Sequence, residues 1–337
     1  MRYRRIGETG LVVSEIGFGS GGNAGLMVRG TRREQDDTVA YALDRGVTYF
    51  DTAPDYGHGA AETNLGRALR ASGGSQAVIT TKVEIRAENL RDIAAHIGRS
   101  VEESLKRLQR DQVDVVQIHN GPVATAPNLQ GRSYKTLGLG DFFRPDGVLE
   151  GLERVIESGK ARYAGFVCRG NDRAEVTQLL QTKKFSLLNL PYTLLNPSAG
   201  RSRAQSPSRD PNYDDVISLA ASFGSGVAVF SPLAGGLLTP MVLDGGAPHP
   251  LARPKDVEAL QAKGLWQEAR ELALLAAEFD MSIVELAYRF IVEHEFVTTI
   301  VAGISSRDQI DQIADLPTDQ LPAELNGRIE AIWRRHT

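Results

Sequence analysis

The chain has 337 residues, of which 42% are hydrophobic and 24% are charged, and its formal net charge is −4. This composition is ordinary for a folded protein in water, and it excludes a disordered chain and a membrane-embedded one. The net charge is small and no long basic run occurs, so we expect neither nucleic acid nor an anionic membrane as a partner.

Cysteine content and the N-terminal residues bear on location. Cys168 is the only cysteine, so the chain can form neither an intrachain disulfide nor a cysteine-rich metal site. Residues 1–10 are charged, but no apolar stretch long enough for a signal peptide follows them. No uninterrupted apolar segment is long enough to span a bilayer. We therefore expect a cytoplasmic protein.

Apolar β-branched segments alternate with helical patterns along the chain, which predicts an α/β fold with a parallel sheet. Two short extended segments, 2–6 and 11–13, surround a glycine-containing turn and predict an N-terminal β-hairpin. Eight further strands are predicted at 15–19, 47–51, 77–83, 113–119, 162–167, 186–190, 227–231 and 297–301. This order predicts a (β/α)8 TIM barrel, and eightfold barrels of this length are commonly one domain, which here would span residues 1–337.

Helix positions follow from capping residues and from the 3.6-residue period. A helix is predicted to begin at Thr31, because Thr31 and Glu34 have the spacing of a capping box. The longest apolar stripe runs from 90 to 108, and similar stripes begin at 148 and 283. We expect the apolar face of each of these helices to pack against a sheet.

The lengths of the loops indicate which end of the predicted barrel contains the active site. Connections from helix to strand are short, whereas long connections follow the fourth, sixth and seventh strands, at 120–146, 191–212 and 232 to about 265. Such long loops are usually functional, and they emerge at the carboxyl-terminal face, where barrels of this kind have their active sites. Candidate lining residues in or near the loops of this face are Met27, Tyr134, Phe142, Phe143 and Tyr192.

Four residues with useful chemistry lie at or near successive strand ends: Asp51, Tyr56, Lys82 and His119. A tyrosine hydroxyl has an ordinary pKa of about 10, so it needs a nearby cation to exchange a proton near neutrality. Lys82 is the candidate cation, and Asp51 is the carboxylate that could compensate a buried lysine. His119 could polarise or orient a carbonyl oxygen beside Tyr56.

The segments that contain these residues resemble the aldo-keto reductase family. The sequence FDTAPDYG at 50–57 is similar to the family segment that contributes an Asp and a Tyr to a catalytic tetrad. The family's lysine and histidine match Lys82 and His119, and further similarity extends from 7–19 through 159–165 and 231–233 to the segment around Gly303. The resemblance therefore covers nearly the whole chain.

The resemblance implies hydride transfer between the nicotinamide of NAD(P)(H) and a carbonyl or alcohol carbon of a small aldehyde, ketone or sugar. Tyr56 would exchange the proton, Lys82 and Asp51 would tune Tyr56, and His119 would orient the substrate. No metal is implied. Cofactor contacts are implied for Gly19, Ser20, Asp51, Cys168, Asn189, Phe230, Ser231, Leu233, Gly303, Ser305, Ser306 and Gln309.

Four residues at three sites depart from the common family pattern. Val167 and Cys168 replace Ser-Asn, Asn189 replaces Gln, and Phe230 replaces the Tyr that stacks on the nicotinamide. Phe230 preserves an aromatic face and Asn189 preserves an amide. Because Val167 has no polar side-chain atom, the sequence leaves open how the carboxamide is bound.

The segment after the eighth strand bears on the choice of nicotinamide. Members that prefer NADP usually have Lys or Arg here for the 2′-phosphate, whereas this chain has Gly303, Ser305 and Gln309. Arg307 is the only cation in the segment, and Ser306 with Gln309 has the spacing of a capping box. We therefore expect NAD(H) to be used at least as well as, or comparably with, NADP(H).

Three alternatives remain open from sequence. Residues 17–22 satisfy the G-x-G-x-x-G pattern of a Rossmann unit, although Asp51 lies 34 positions beyond Gly17, farther than that fold needs. A second alternative is a cofactor-binding regulatory barrel similar to potassium-channel β subunits. A third is a non-redox barrel enzyme in which Lys82 forms a Schiff base. The oligomeric state is not indicated.

Overall fold

The computed structural model of the protein describes residues 1–123, 137–169, 172–207, 209, 211–245, 250–251, 264–317 and 319–336. Its strands are β1 (Tyr3–Arg5), β2 (Val12–Ser14), β3 (Ile16–Gly19), β4 (Tyr49–Asp51), β5 (Val78–Val83), β6 (Val113–Ile118), β7 (Pro122–Val123), β8 (Leu137–Gly138), β9 (Ala161–Val167), β10 (Leu187–Pro191), β11 (Gly226–Phe230) and β12 (Thr299–Gly303).

The helices within these residues are α1 (Leu26–Arg29), α2 (Arg32–Asp44), α3 (Ala60–Ala71), α4 (Ile93–Leu108), α5 (Leu139–Phe143), α6 (Val148–Glu157), α7 (Arg173–Gln181), α8 (Val216–Ser222), α9 (Met241–Asp244), α10 (Leu265–Glu278), α11 (Ile283–Val292), α12 (Arg307–Ala314) and α13 (Ala323–Arg335). Short 3₁₀ turns occur at Ala87–Asn89, Pro197–Gly200 and Ala234–Gly236.

Eight parallel strands close into a barrel in the order β3, β4, β5, β6, β9, β10, β11 and β12, with β12 pairing back to β3. The predicted (β/α)8 barrel is therefore confirmed, and every predicted barrel strand overlaps an observed one. Gly19 of β3 lies so close to β12 that an added Cβ would approach the Ala302 carbonyl oxygen to 2.9 Å. The barrel seam at this point excludes larger residues.

The N-terminal hairpin formed by β1 and β2 is antiparallel and closes the amino-terminal end of the barrel. Ile6, Leu11 and Val13 are buried against barrel residues that include Tyr49 and Val115. This packing removes apolar side chains from water and fills the end of the barrel opposite the long loops. The predicted hairpin is thus confirmed.

The start of α2 follows local capping. The Thr31 side chain accepts a hydrogen bond from the Glu34 backbone N–H and the Glu34 carboxylate accepts one from the Thr31 N–H, so the predicted capping box opens α2. The apolar stripe predicted from 90 begins later, because a 3₁₀ turn at Ala87–Asn89 precedes α4 and leaves Leu90 outside the helix.

The long connections contain structure of their own. The connection after β6 contributes the two-stranded sheet β7–β8 and helix α5, and the connection after β11 contributes a 3₁₀ turn and α9. The glycine-rich loop after β3 does not open a helix directly, since α1 begins only at Leu26. The Rossmann alternative is therefore wrong. Within the described ranges, no helix is both long and apolar enough to cross a membrane.

Candidate active site

A cavity of about 1130 Å³ opens at the carboxyl-terminal ends of the barrel strands. Its walls include strand-end residues from all eight barrel strands, together with the loops that follow them. All four residues singled out from the sequence for their chemistry line it, namely Asp51, Tyr56, Lys82 and His119. The barrel therefore brings together side chains that are up to 68 positions apart in the chain.

Asp51 and Lys82 form a buried ion pair at the base of this cavity. Lys82 Nζ lies 2.5 Å from Asp51 Oδ1 and also donates to the backbone oxygen of Thr52 at 2.8 Å. Their side chains are 2% and 4% exposed, so each charge depends on the other for compensation. Burial raises the pKa of Asp51, while Lys82 and the amide of Asn189 act in the opposite direction.

Tyr56 lies on the turn after β4, next to this pair. The Lys82 ammonium is 5.2 Å from the centroid of the Tyr56 ring. Gly57 has a φ of +63°, and a Cβ at this position would approach the Val28 side chain to 2.7 Å. The turn that follows Tyr56 therefore favours glycine at position 57.

His119 follows β6 and is buried against Tyr56, with ring centroids 5.9 Å apart in an edge-to-face arrangement. Burial lowers the pKa of His119 to about 4, an effect that Asp55 opposes, so the ring is neutral at pH 7. Nδ1 lies 3.2 Å from Asp55 Oδ1, and Nε2 lies 3.5 Å from Arg169 Nη2.

Asp55 and Arg169 also line the cavity, although neither was predicted as a site residue. Asp55 stands beside Tyr56 within the recognised FDTAPDYG segment, and Arg169 follows the atypical pair Val167 and Cys168. Each position could have been found as a charged residue adjoining a proposed site residue. The sequence could not show that both residues lie next to His119.

The residues expected to contact the cofactor fall into two groups. Nine line the cavity: Gly19, Asp51, Asn189, Phe230, Ser231, Leu233, Gly303, Ser305 and Gln309. Three are not among its lining residues: Ser20, Cys168 and Ser306. The Ser20 hydroxyl donates to the Asp51 backbone oxygen at 2.8 Å, and Cys168 is buried in the apolar core. Both therefore support the strand ends rather than face the cavity.

The cavity has features that fit a dinucleotide. Asn189 Nδ2 donates to Asp51, whereas the buried Oδ1 of Asn189 has no hydrogen-bond partner among the described residues. This atom is a suitable acceptor for the carboxamide NH₂ of a nicotinamide. Phe230 supplies an aromatic face, and the backbone N–H groups at the start of α12 lie at the other end of the cavity.

The start of α12 differs from the predicted capping arrangement. Ser306 is the N-cap residue, but its side chain makes no capping hydrogen bond. The Gln309 side chain instead accepts from the Ser305 backbone N–H at 2.7 Å, so the predicted Ser306–Gln309 capping box is wrong. Arg307 points to α2, where it lies 3.5 Å from Asp37 and stacks on Tyr41, and it does not line the cavity.

Four of the five residues suggested as substrate contacts do not line the cavity. Met27, Phe142 and Tyr192 are buried in the main apolar core, and Phe143 is 48% exposed at the surface. The first three side chains pack into the core because burial of their apolar area is more favourable than exposure in an open site. The fifth, Tyr134, lies outside the described residues.

Comparison with known proteins identifies the family of this site. The Aldo/keto reductase family profile matches residues 15–334. A solved aldo-keto reductase, AKR11C1 from Bacillus halodurans in its holo form, superposes with a TM-score of 0.71 at 25% identity, covering 98% of this chain and 96% of that one.

Curated relatives include two differently named proteins. A putative voltage-gated potassium channel subunit beta from Schizosaccharomyces pombe is 28% identical, covering 98% of this chain and 92% of its own length. L-galactose dehydrogenase from Arabidopsis thaliana is 25% identical, covering 98% and 94%. With its closed barrel, its cavity and a family match over nearly its whole length, the chain belongs to the aldo/keto reductase family and is an NAD(P)-dependent oxidoreductase.

Proposed function

We propose that the protein, as one barrel domain spanning residues 1–337, interconverts a small aldehyde, ketone or sugar and the corresponding alcohol or oxidised sugar, with Tyr56 as the proton donor or acceptor. The observation that carries the proposal is the position of the Lys82 ammonium, 2.5 Å from Asp51 and 5.2 Å from the Tyr56 ring, inside the cavity. The bound nicotinamide supplies or accepts the hydride.

The proton transfer is assigned to side chains of the cavity. In the reductive direction, the Tyr56 hydroxyl gives its proton to the oxygen of the carbonyl as negative charge develops there. The resulting phenolate is stabilised by the adjacent Lys82 cation, which lowers the cost of losing the proton near neutral pH. Asp51 compensates the lysine and fixes its direction. In the oxidative direction the same groups take the proton from an alcohol.

Cofactor binding is assigned to residues at the strand ends and in the following loops. Phe230 would stack on the nicotinamide and Asn189 would accept from its carboxamide, while Ser305 and the start of α12 would meet the distal half of the dinucleotide. Gly303 is exposed and carries no side chain, which permits close backbone approach to the cofactor.

A substrate panel tests the proposal. The purified chain would be assayed with sugars, aldehydes and ketones, in both directions and with both nicotinamides, by absorbance of the reduced cofactor. We expect turnover with at least one carbonyl or sugar class. Turnover without nicotinamide, together with borohydride trapping of substrate on Lys82, would instead support Schiff-base chemistry.

The similarity to the Schizosaccharomyces pombe protein named as a putative voltage-gated potassium channel subunit beta favours a second candidate, a cofactor-binding regulatory barrel. The presence of Asp51, Tyr56, Lys82 and His119 in one cavity supports an active enzyme instead. Tight NAD(P)(H) binding without turnover of any substrate in the panel would favour the regulatory candidate over the proposed one.

A further inference from the structure

The barrel interior below the floor of the cavity contains a layer of polar and small residues. Each of the eight barrel strands contributes one residue to it, two positions before a residue that lines the cavity. Because alternate residues of a strand face the same side of the sheet, these eight residues point into the barrel. We call them the inner layer: Gly17, Tyr49, Thr80, Gln117, Gly165, Leu187, Ala228 and Thr299.

The inner layer differs from the usual filling of such a barrel. Bulky branched side chains commonly fill this space, whereas the inner layer has polar side chains at four positions and Gly or Ala at three. A Cβ at Gly17 would approach the Tyr49 ring to 2.7 Å and Thr299 Oγ1 to 3.1 Å. A Cβ at Gly165 would approach Gln117 Cγ to 3.0 Å. The polar side chains therefore extend over the glycines, and the layer contains less side-chain volume than branched residues would supply.

Five side-chain atoms of the inner layer are buried and have no hydrogen-bond partner among the described residues. They are the hydroxyl oxygens of Tyr49, Thr80 and Thr299 and both amide atoms of Gln117, and all four residues are 0% exposed. Burial raises the pKa of Tyr49 and the nearby Thr80 opposes this, although the two hydroxyls are not in hydrogen-bonding geometry. Because each buried polar atom without a partner lowers stability, five of them in one layer indicate a bound partner.

Another buried glutamine shows how this protein binds an amide with its own groups. Gln35 on α2 is 3% exposed, and its Nε2 donates to the backbone oxygens of Leu26 and Gly30, both at 3.0 Å. Its Oε1 accepts from Arg67 at 2.7 Å. In the part of the chain that the structure describes, Gln117 has no such contacts. The Gln117 amide therefore fits a small external ligand.

The chemistry of the inner layer favours water over an ion as this ligand. Gln117 Nε2 only donates hydrogen bonds and Gln117 Oε1 only accepts them, whereas a hydroxyl does both. Water also donates and accepts, so it can bind every one of these atoms, whereas a cation could bind only the oxygen atoms and an anion only the donors. The charges of Asp51 and Lys82, immediately above the layer, compensate each other and provide no net attraction for an ion.

We propose that the inner layer binds ordered water, held by the Gln117 amide and the three hydroxyls, beneath the Asp51–Lys82 pair. The site does not depend on the proposed activity, and no residue of the inner layer lines the cavity. Cofactor and substrate therefore leave this water in place. It supplies hydrogen-bonding groups on the side of the ion pair that faces the barrel interior, where branched side chains would supply none.

A high-resolution crystal structure of the full chain tests the site directly. We expect ordered solvent density at about 2.7 to 3.2 Å from the Gln117 amide and from at least one hydroxyl of the inner layer. Crystals soaked in rubidium chloride distinguish water from a monovalent cation. An anomalous rubidium peak in the layer would overturn the proposal, as would direct hydrogen bonds among the four polar side chains with no solvent between them.

Oxygen-17 magnetic relaxation dispersion counts long-lived internal water in solution. Gln117→Met keeps an unbranched side chain but removes both amide atoms, so the count should fall by about one molecule or more. The difference from the wild type should persist with saturating NAD(P)(H). Gln35→Met is the matched control and should not lower the count, because protein groups bind the Gln35 amide. Equal counts in the wild type and Gln117→Met would contradict the proposal.

Urea denaturation distinguishes a hydrated amide from one that has no partner at all. Gln117→Met loses the hydrogen bonds to water, so its urea midpoint should be equal to or below that of the wild type. A higher midpoint would overturn the proposal, because apolar replacement of an unsatisfied polar group is stabilising. Thr299→Val repeats each measurement with a smaller change if Gln117→Met does not fold. Absence of all turnover in a protein with a hydrated inner layer would refute the proposed function but not the water site.

Discussion

The two ends of the cavity are built differently. At the end that contains the proposed chemistry, Asp51, Lys82 and His119 are almost fully buried and bound by charged or polar side chains. At the end formed by β12 and α12, Gly303 is exposed, and the cation Arg307 is 49% exposed and directed toward α2. Buried charge is concentrated at the end of the cavity where we propose that the proton is transferred.

The difference has a physical basis. A charge removed from water costs several kcal/mol unless a partner compensates it, but once compensated it acts on its neighbours through a low dielectric. Such an environment suits proton transfer. Cofactor binding can instead use backbone N–H groups and small side chains, whose contributions are each modest and do not require a buried charge.

The largest expected effect comes from removing the proposed proton donor. Tyr56→Phe should lower kcat by about 10²- to 10⁴-fold, because the ring remains but the hydroxyl is lost. The Kd of the cofactor should stay close to that of the wild type. Tyr49→Phe is the matched control, since Tyr49 is buried within the barrel and does not line the cavity. A Tyr56→Phe enzyme with wild-type turnover would exclude this residue as the donor.

The second prediction concerns the buried pair. Lys82→Met should suppress activity at neutral pH and alter the pH dependence of kcat, because Tyr56 loses the cation that favours its ionised form. It should also lower the free energy of unfolding by about 3 to 5 kcal/mol, since Asp51 is left buried without compensation.

The double variant Asp51→Asn/Lys82→Met provides the control for that prediction. It removes both charges and should recover part of the lost stability without recovering activity. Stability and activity would be followed by urea denaturation and by steady-state rates across pH. An unchanged pH profile in Lys82→Met would contradict the proposed coupling between Lys82 and Tyr56.

Buried His119 should make stability depend on pH. Its folded pKa of about 4 lies below the ordinary value of 6.5, so the unfolded chain binds the proton more readily between these values. The contribution is fully present above pH 6.5 and is lost as the pH falls toward 4, by up to roughly 3 kcal/mol.

Urea denaturation of the wild type and of His119→Gln at several pH values measures this contribution. The variant should show a shallower loss of stability between pH 6.5 and 4. The same substitution at the exposed residue His58 is the matched control. Parallel stability curves for wild type and His119→Gln would show that the ring is not held neutral by burial.

The smallest change in activity is expected from a substitution at the end of the cavity formed by β12 and α12. Arg307→Ala should change the ratio of kcat/KM for NAD(H) to that for NADP(H) by less than about threefold, because Arg307 contacts Asp37 and Tyr41 and does not line the cavity. We also expect the wild-type enzyme to use NAD(H) at least comparably with NADP(H). A hundredfold preference for NADP(H) that Arg307→Ala abolishes would contradict both expectations.

The barrel and the position of the proposed chemistry could be predicted from the linear pattern of residues. Strand positions follow from runs of apolar residues, and Asp51, Lys82 and His119 were placed correctly at the cavity because parallel strands in a barrel end at the same face. The capping box at Thr31 could also be predicted, because it joins two residues that are close in sequence, Thr31 and Glu34. These features depend on a few neighbouring residues, so the linear pattern contains them.

Which side chains share an environment became clear from the folded barrel and not from the sequence. Asp55 and Arg169 meet at His119, although Arg169 is 50 positions away from it in the chain. Met27 and Phe142 lie in short helices of the connections between barrel elements, yet they pack into the core. Arg307 turns toward Asp37. Burial, partner choice and pKa are properties of contacts between distant segments, and those contacts exist only once the barrel has closed.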